Sequence, residues 1–263
     1  MYEELYAPLP DKAAYLARIG LSEAGLRPDL ECLNAVLRAQ LEHIPFENLE
    51  VLCEQRTPDL GTAALFDKLV TRRRGGYCFE LNALFHALLV SLGYTVYPVA
   101  VRVQLGGSEL SPTTHRGEVA VIGGRKYYCD VGFGAISFPH AVPLDGSETP
   151  EGFRIVPDGA FLAVQQKKDG AWALLMRFAD LPTDPVDFVL PNFYTSRNPE
   201  GLFRQVLSVA ILRGGVRVQL AGDTLREYEG KTVLSERKAK TPAALTELLR
   251  EEFGIEYELK RAP

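Results

Sequence analysis

The pattern of hydrophobic and polar positions divides the chain into three regions. In residues 1–92 apolar side chains recur every three or four positions, which predicts helices. In residues 93–193 short β-rich runs alternate with glycine-containing turns, which predicts an antiparallel, barrel-like sheet. Residues 194–263 contain further hairpin signals, followed by a helix that begins near Thr241 and ends before Gly254. The pattern therefore predicts an α+β protein with three domains in this order.

A buried helix is predicted directly after a glycine-rich segment. Positions 79–92 are almost entirely apolar, so this run is expected to form a helix that is buried on most sides and ends at Gly93. Cys78 would lie in its first turn, where unpaired backbone N–H groups favour the ionised thiolate. Because the thiolate is the nucleophilic form of cysteine, Cys78 is a candidate nucleophile. The alternative is an inert buried cysteine that only packs.

A predicted hairpin brings a histidine and a carboxylate together. Gly123 and Gly124 form a preferred two-residue loop, which fixes the register of the two strands. In that register Asp130 lies opposite Gly117, and His115 projects from the same face of the sheet. His115 and Asp130 are then diagonal neighbours within hydrogen-bonding reach, and the absent side chain at Gly117 leaves room for them. The alternative for each is an ordinary strand residue with a satisfied hydrogen bond.

Cys78, His115 and Asp130 together have the composition of a catalytic triad. The cysteine would attack an acyl group, the histidine would remove its proton, and the aspartate would orient the imidazole. Since each member alone is unremarkable, the combination is what indicates nucleophilic catalysis.

The motifs around these residues resemble those of the arylamine N-acetyltransferases. Residues 74–82 match the family pattern Arg-Gly-Gly-aromatic-Cys-x-Glu-x-Asn, and residues 130–134 match Asp-Val-Gly-Phe-Gly. The adjacent pair Thr114 and His115 matches the Thr-His element of the family. Similar segments occur at 43–49 and near the C-terminus, so the resemblance spans nearly the whole chain.

The resemblance implies both an architecture and a reaction. The expected fold has an N-terminal helical bundle with the cysteine, a central antiparallel β-barrel with the histidine and aspartate, and a C-terminal α/β lid. Its Cys-His-Asp core would resemble that of cysteine proteases. The expected reaction moves an acetyl group from acetyl-CoA to an arylamine or arylhydrazine through an acetyl-cysteine, in ping-pong order. Acetyl-CoA is then a co-substrate, and neither a metal nor a bound cofactor is expected.

The same resemblance assigns substrate contacts. The residues expected to line the acceptor pocket are Phe46, Thr114, Phe133 and Phe203. Gly132, Phe133 and Gly134 are expected to contact the CoA pyrophosphate. Residues 116–118 and 197–201 differ from the usual family pattern, and we expect these differences to bear on acceptor specificity. Core packing is the alternative role for each phenylalanine.

Two other functional classes stay open at this stage. The chain order Cys, His, Asp also occurs in transglutaminase-like and other thiol hydrolases, whose acyl donor is an amide or a peptide. A non-enzymatic relative that keeps the fold and binds a ligand is the second alternative.

Composition and charge narrow the range of partners. The 263-residue chain has a net charge of −5, which makes it a poor candidate for binding nucleic acid. Its four cysteines contain no Cys-x-x-Cys pair, so neither a zinc site nor a disulfide framework is predicted. No apolar N-terminal segment resembles a signal peptide or membrane span, and we expect a cytoplasmic protein without membrane contact. Nothing in the sequence indicates an oligomeric state.

Overall fold

Helices dominate the first third of the chain. The computed structural model describes residues 2–104, 110–134 and 136–259. The helices of this region are α1 (Lys12–Arg18), α2 (Leu30–His43), α3 (Leu49–Leu52), α4 (Thr62–Phe66) and α5 (Cys78–Ser91). A 3₁₀ turn (Glu3–Tyr6) precedes α1, and a π-helical turn (Asp67–Thr71) continues α4.

Helix α5 is the core of this bundle. Its apolar residues pack against the other helices and against the outer face of the central sheet. The helix begins at Cys78 and is followed by Gly93, whose φ of +88° suits glycine after a helix end. The predicted buried helix over 79–92 is thus confirmed to within one residue at each end.

A buried ion cluster supports the start of α5. The Glu80 side chain accepts a hydrogen bond from the backbone N–H of Tyr77. The Nζ of Lys68 donates to Glu80 over 2.6 Å and to Glu50 over 2.7 Å. Burial raises the pKa of Glu80 to about 7, although Lys68 opposes this shift. These contacts hold the first turn of α5, and hence Cys78, in place.

The central region is one seven-stranded sheet in the order β5-β4-β3-β2-β8-β7-β6. Its strands are β2 (Thr95–Val103), β3 (Thr113–Ile122), β4 (Arg125–Cys129), β5 (Val142–Pro143), β6 (Phe153–Asp158), β7 (Phe161–Lys168) and β8 (Ala171–Phe178). All neighbouring pairs are antiparallel, and the two edge strands β5 and β6 lie against each other. The sheet is therefore a nearly closed barrel, which confirms the predicted α+β class.

The β3–β4 hairpin has the predicted register. Ile122 pairs with Arg125 across the glycine loop, and both glycines have positive φ angles of 57° and 77°. Regular pairing ends at Glu118 and Cys129, one pair before the predicted Gly117–Asp130 pair. Cys129 packs with the helices rather than in the barrel interior, as expected from the alternation of strand faces.

The C-terminal region adds a second sheet with the order β1-β9-β10-β11-β12. Its strands are β1 (Phe46–Glu47), β9 (Ser208–Arg213), β10 (Val216–Ala221), β11 (Thr224–Glu229) and β12 (Thr232–Lys238). Two helices, α6 (Val189–Arg197) and α7 (Leu202–Gln205), lead into this sheet, and α8 (Pro242–Phe253) packs on it.

The edge strand β1 of this second sheet comes from the helical region of the chain. Phe46 pairs with Ala210 of β9, and it also bridges to Gly76 just before the cysteine. The predicted boundary between residues 193 and 194 falls within α6. The division at 92/93 and 193/194 stays a prediction.

Candidate active site

Cys78 is buried at the first turn of α5. Its Sγ lies 3.9 Å from the carbonyl oxygen of Thr114. The surrounding loops approach one another so closely that two of their positions can hold only glycine. A Cβ on residue 132 would lie 2.7 Å from the Cα of Cys78, closer than side chains approach. A Cβ on residue 75 would overlap the carbonyl of Pro45. The glycines therefore let two loops close tightly around the thiol.

His115 and Asp130 form a short, buried contact. The Nε2 of His115 lies 2.6 Å from Oδ2 of Asp130. Burial lowers the pKa of His115, but the Asp130 carboxylate, with a further contribution from Cys78, outweighs it and raises the pKa to about 10. Because Nε2 is bonded to Asp130, Nδ1 is the ring nitrogen left for the thiol. The site thus favours an imidazolium beside a sulfur atom.

Four donors hold the Asp130 carboxylate. Besides His115, the hydroxyl of Tyr128 donates to Oδ2 over 2.8 Å. Oδ1 accepts hydrogen bonds from the Asn82 side chain at 3.0 Å and from the Gly132 N–H at 2.9 Å. Charge-assisted bonds of this kind fix the orientation of a carboxylate strongly.

Tyr128 and Asn82 are site residues that sequence reasoning did not identify as such. Tyr128 precedes Asp130 by two residues and therefore projects from the same sheet face, which is the signal that was available. A Cβ on residue 117 would overlap the ring of Tyr128. The space at Gly117 is thus filled by Tyr128, and the expectation that it accommodates His115 and Asp130 was wrong.

A cavity of about 400 Å³ opens beside the thiol. Its lining is mainly apolar, and both Cys78 and His115 reach it. The expected substrate residues that line it are Phe46, Thr114, Gly132, Phe133 and Phe203. The rings of Phe46 and Phe203 are 5.7 Å apart, and those of Phe133 and His115 are 5.3 Å apart. The cavity is therefore a pocket with aromatic walls next to the thiol of Cys78.

Gly134 is placed differently from its neighbours. It packs beneath the ring of Phe46, where a Cβ would come within 3.2 Å of that ring. It is absent from the described residues that line the cavity. Its φ of +72° and this close approach are structural reasons for a glycine here.

Arg116 and Glu118 project away from this cavity. The Nε of Arg116 and Oε1 of Glu118 are 2.8 Å apart, and His86 Nδ1 contacts the other carboxylate oxygen at 2.8 Å. The Arg116 guanidinium also lies 4.8 Å from the ring centre of Phe188. Because strand faces alternate, Arg116 and Glu118 lie on the face opposite His115. The expected influence of residues 116–118 on acceptor specificity stays a prediction. Residues of the other unusual segment, Asn198 and Gly201, do line the cavity.

The described part of the chain contains neither a cluster of metal ligands nor a helix that could span a membrane. Within residues 2–104, 110–134 and 136–259, no group of three or more His, Cys, Asp or Glu side chains is arranged to hold a metal ion. None of the helices in those ranges combines the length and apolar character needed to cross a membrane.

Comparison with known proteins gives a consistent assignment. A family model described as N-acetyltransferase matches residues 29–262. The arylamine N-acetyltransferase of Mycolicibacterium smegmatis is 32% identical over 255 residues, covering 94% of this chain and 92% of that protein.

Solved structures agree with the sequence comparison. The Salmonella typhimurium arylamine N-acetyltransferase matches with a TM-score of 0.89 at 29% identity, covering 97% of this chain and 94% of that one. The Mycobacterium marinum enzyme, solved in complex with CoA, matches with a TM-score of 0.87 at 30% identity, covering 94% and 93%. The chain therefore belongs to the arylamine N-acetyltransferase family and is an acyltransferase.

Proposed function

We propose that this protein moves an acetyl group from acetyl-CoA to an arylamine by way of acetyl-Cys78. The observation that carries the proposal is the bond between His115 and Asp130, together with the position of His115 and Cys78 on the wall of one aromatic cavity. Family membership supports the acetyl-CoA donor and the arylamine acceptor, since both the named relatives and a CoA complex point to them. It also weighs against a transglutaminase-like hydrolase.

In the first half-reaction the Cys78 thiolate attacks the acetyl carbonyl of acetyl-CoA. A new carbon–sulfur bond forms, and the bond between the acetyl carbon and the CoA sulfur breaks. The departing CoA thiolate takes the proton that the His115 imidazolium holds. Asp130 compensates the imidazolium charge before the transfer and orients the ring throughout. The N–H of Gly132 donates to Asp130, so we assign the stabilisation of the tetrahedral oxyanion to another donor near Cys78.

In the second half-reaction an amine attacks the acetyl-cysteine. Neutral His115 accepts the proton that the amine loses as the amide forms, and the Cys78 thiolate leaves. This regenerates the imidazolium and thiolate. Burial of the thioester protects it from water until an acceptor arrives.

The cavity walls suit a flat aromatic acceptor. Phe46, Phe133 and Phe203 offer ring faces and edges for stacking and apolar burial. A hydrazine attached to an aromatic ring has the same shape and a similarly nucleophilic nitrogen, so we include arylhydrazines among the acceptors. We also propose a cytoplasmic location, because Cys32, Cys78 and Cys129 are free thiols, which a reducing compartment preserves.

Mass spectrometry of the intact protein tests this proposal. Incubation with acetyl-CoA should add the mass of one acetyl group, and a subsequent arylamine should remove it with formation of the amide. Cys78→Ala should abolish the added mass, whereas Cys32→Ala, a matched change at another buried cysteine, should retain it. Labelling that persists in the Cys78→Ala variant, or peptide cleavage without labelling, would contradict the proposal.

A further inference from the structure

A second cavity lies against helix α5, separate from the one beside Cys78. Its volume is about 390 Å³, close to that of the Cys78 cavity, and no described residue lines both. His115 of β3 lines the Cys78 cavity, whereas its neighbour Arg116 projects from the other face of the strand and lines this one. We call it the Arg116 cavity.

The N-terminal segment closes the Arg116 cavity on one side. Residues 5–9 form this wall, and the hydroxyl of Tyr6 donates to Asp184 over 2.8 Å, which ties the segment to the chain before α6. The wall is mainly aliphatic, with side chains from Leu5, Leu9, Leu60, Ala87 and Val90. This lining contrasts with the aromatic wall beside Cys78 and suits a saturated hydrocarbon chain.

The polar part of the described wall is basic. Arg116 and His86 both line the cavity, and none of the described lining residues is an aspartate or a glutamate. Glu118 does not line the cavity, and its two oxygens are engaged by Arg116 and by His86, each at 2.8 Å. An anion in the cavity would therefore meet the Arg116 guanidinium without facing a free carboxylate oxygen.

Arg116 has hydrogen-bond donors to spare. Its side chain is only 4% exposed, and while Nε donates to Glu118, the described residues provide no acceptor for the two terminal nitrogens. Buried charged donors that lack acceptors are costly. Because these nitrogens are not fully enclosed, a ligand in the cavity can reach them. The planar fork of a guanidinium matches the two oxygens of a carboxylate.

We propose that the Arg116 cavity binds a medium-chain aliphatic carboxylate. The carboxylate pairs with the terminal nitrogens of Arg116, and the hydrocarbon chain lies among the aliphatic side chains of the wall. A volume of about 390 Å³ is within the range of small-molecule sites. Since no described residue lines both cavities, the ligand can bind while the Cys78 cavity is occupied, and the inference does not depend on the proposed function.

Titration calorimetry with octanoate tests the proposal on the intact protein. Octanamide has the same chain without the charge, and the wild type should bind octanoate at least about tenfold more tightly than octanamide. Ala87→Leu fills part of the cavity and should weaken octanoate binding by about tenfold or more. Ala35→Leu is the matched control, since Ala35 is an exposed residue of α2 that does not line the cavity, and it should leave the affinity unchanged.

The role of the charge is tested by removing the ion pair as a unit. The double variant Arg116→Met, Glu118→Gln leaves neither buried charge without its partner, and its preference for octanoate over octanamide should fall to near one. Thermal unfolding shows whether each variant folds. Should the double variant not fold, Arg116→Lys keeps the charge but loses the paired contact, and it should still reduce the preference.

The proposal is overturned if the wild type does not bind octanoate or binds octanoate and octanamide equally. Full octanoate affinity in a folded Ala87→Leu protein would place the ligand elsewhere and overturn it too. A crystal structure of the octanoate complex gives the position directly: the carboxylate should lie at Arg116, and octanoate found only beside Cys78 would contradict the assignment.

Discussion

The ring of Tyr128 occupies the space that a side chain on Gly117 would need. Its hydroxyl donates to the same Asp130 oxygen that contacts His115. The two residues lie on neighbouring strands, so the missing side chain on one and the large side chain on the other form a matched pair. This pair connects the packing of the barrel interior to the orientation of the Asp130 carboxylate beside His115.

The first prediction concerns the space at residue 117. Gly117→Ala should displace Tyr128 and weaken its bond to Asp130, with a cost in unfolding free energy of about 1–3 kcal/mol from overpacking. Acetyl-transfer kcat/KM should fall by about tenfold because the imidazole loses part of its support. Steady-state kinetics and urea unfolding measure the two effects. A fully active, equally stable Gly117→Ala protein would show that Tyr128 moves aside without consequence.

The second prediction isolates the hydroxyl. Tyr128→Phe keeps the ring but removes one donor to Asp130, and kcat/KM should fall by about tenfold. The remaining carboxylate charge then acts more strongly on His115 and raises the pKa of that group further, so activity should extend to higher pH. A pH–rate profile measures the shift. Tyr127→Phe is the control, since Tyr127 is buried on the opposite face of the same strand, and it should leave the profile unchanged. Identical profiles for both variants would exclude a role for the Tyr128 hydroxyl.

The third prediction follows from the raised pKa of His115, which is about 10 in the folded protein against 6.5 for an unperturbed histidine. Such a group stabilises the fold fully below pH 6.5, and this stabilisation is lost as the pH rises through 10. The free energy of unfolding of the wild type should therefore decline over that interval relative to His115→Gln. Denaturant unfolding at a series of pH values measures the difference. A difference that does not vary with pH would mean that folding does not raise the pKa of His115.

The fourth prediction concerns the ion cluster at the start of α5. Lys68→Met leaves the carboxylates of Glu80 and Glu50 without their cation, and the unfolding free energy should drop by about 3–5 kcal/mol. Lys12→Met removes a half-buried surface lysine paired with the exposed Glu23 and should cost no more than about 1 kcal/mol. Urea unfolding compares the two variants. Equal losses would mean that burial of the cluster contributes nothing to stability.

The features that sequence predicts well here are local ones. The apolar run after Cys78 and the glycine loop at 123–124 each determine their own structure, and both were confirmed. The register fixed by the glycine loop was enough to bring His115 and Asp130 together. Both residues lie just beyond Glu118 and Cys129, the last regular pair of the hairpin.

The features that escaped sequence reasoning depend on contacts between distant segments. The pairing of Phe46 with β9 joins residues far apart in the chain, and no local pattern specifies it. The crowding between Gly117 and Tyr128 depends on ring placement inside the barrel. The burial of Arg116 depends on Phe188, whose ring lies against its guanidinium, and on helix α5, whose His86 contacts the Glu118 carboxylate that also binds Arg116.

The edge strand β1 has a consequence for protein engineering. Phe46 forms an aromatic wall of the cavity beside Cys78 and at the same time pairs with β9 of the C-terminal sheet. A chimaera that exchanges only the C-terminal region with a relative would set a foreign β9 against the native Phe46 and distort that wall. Transplanting residues 43–49 together with the C-terminal region keeps the two strands matched, so segment 43–49 and the lid form one unit of exchange.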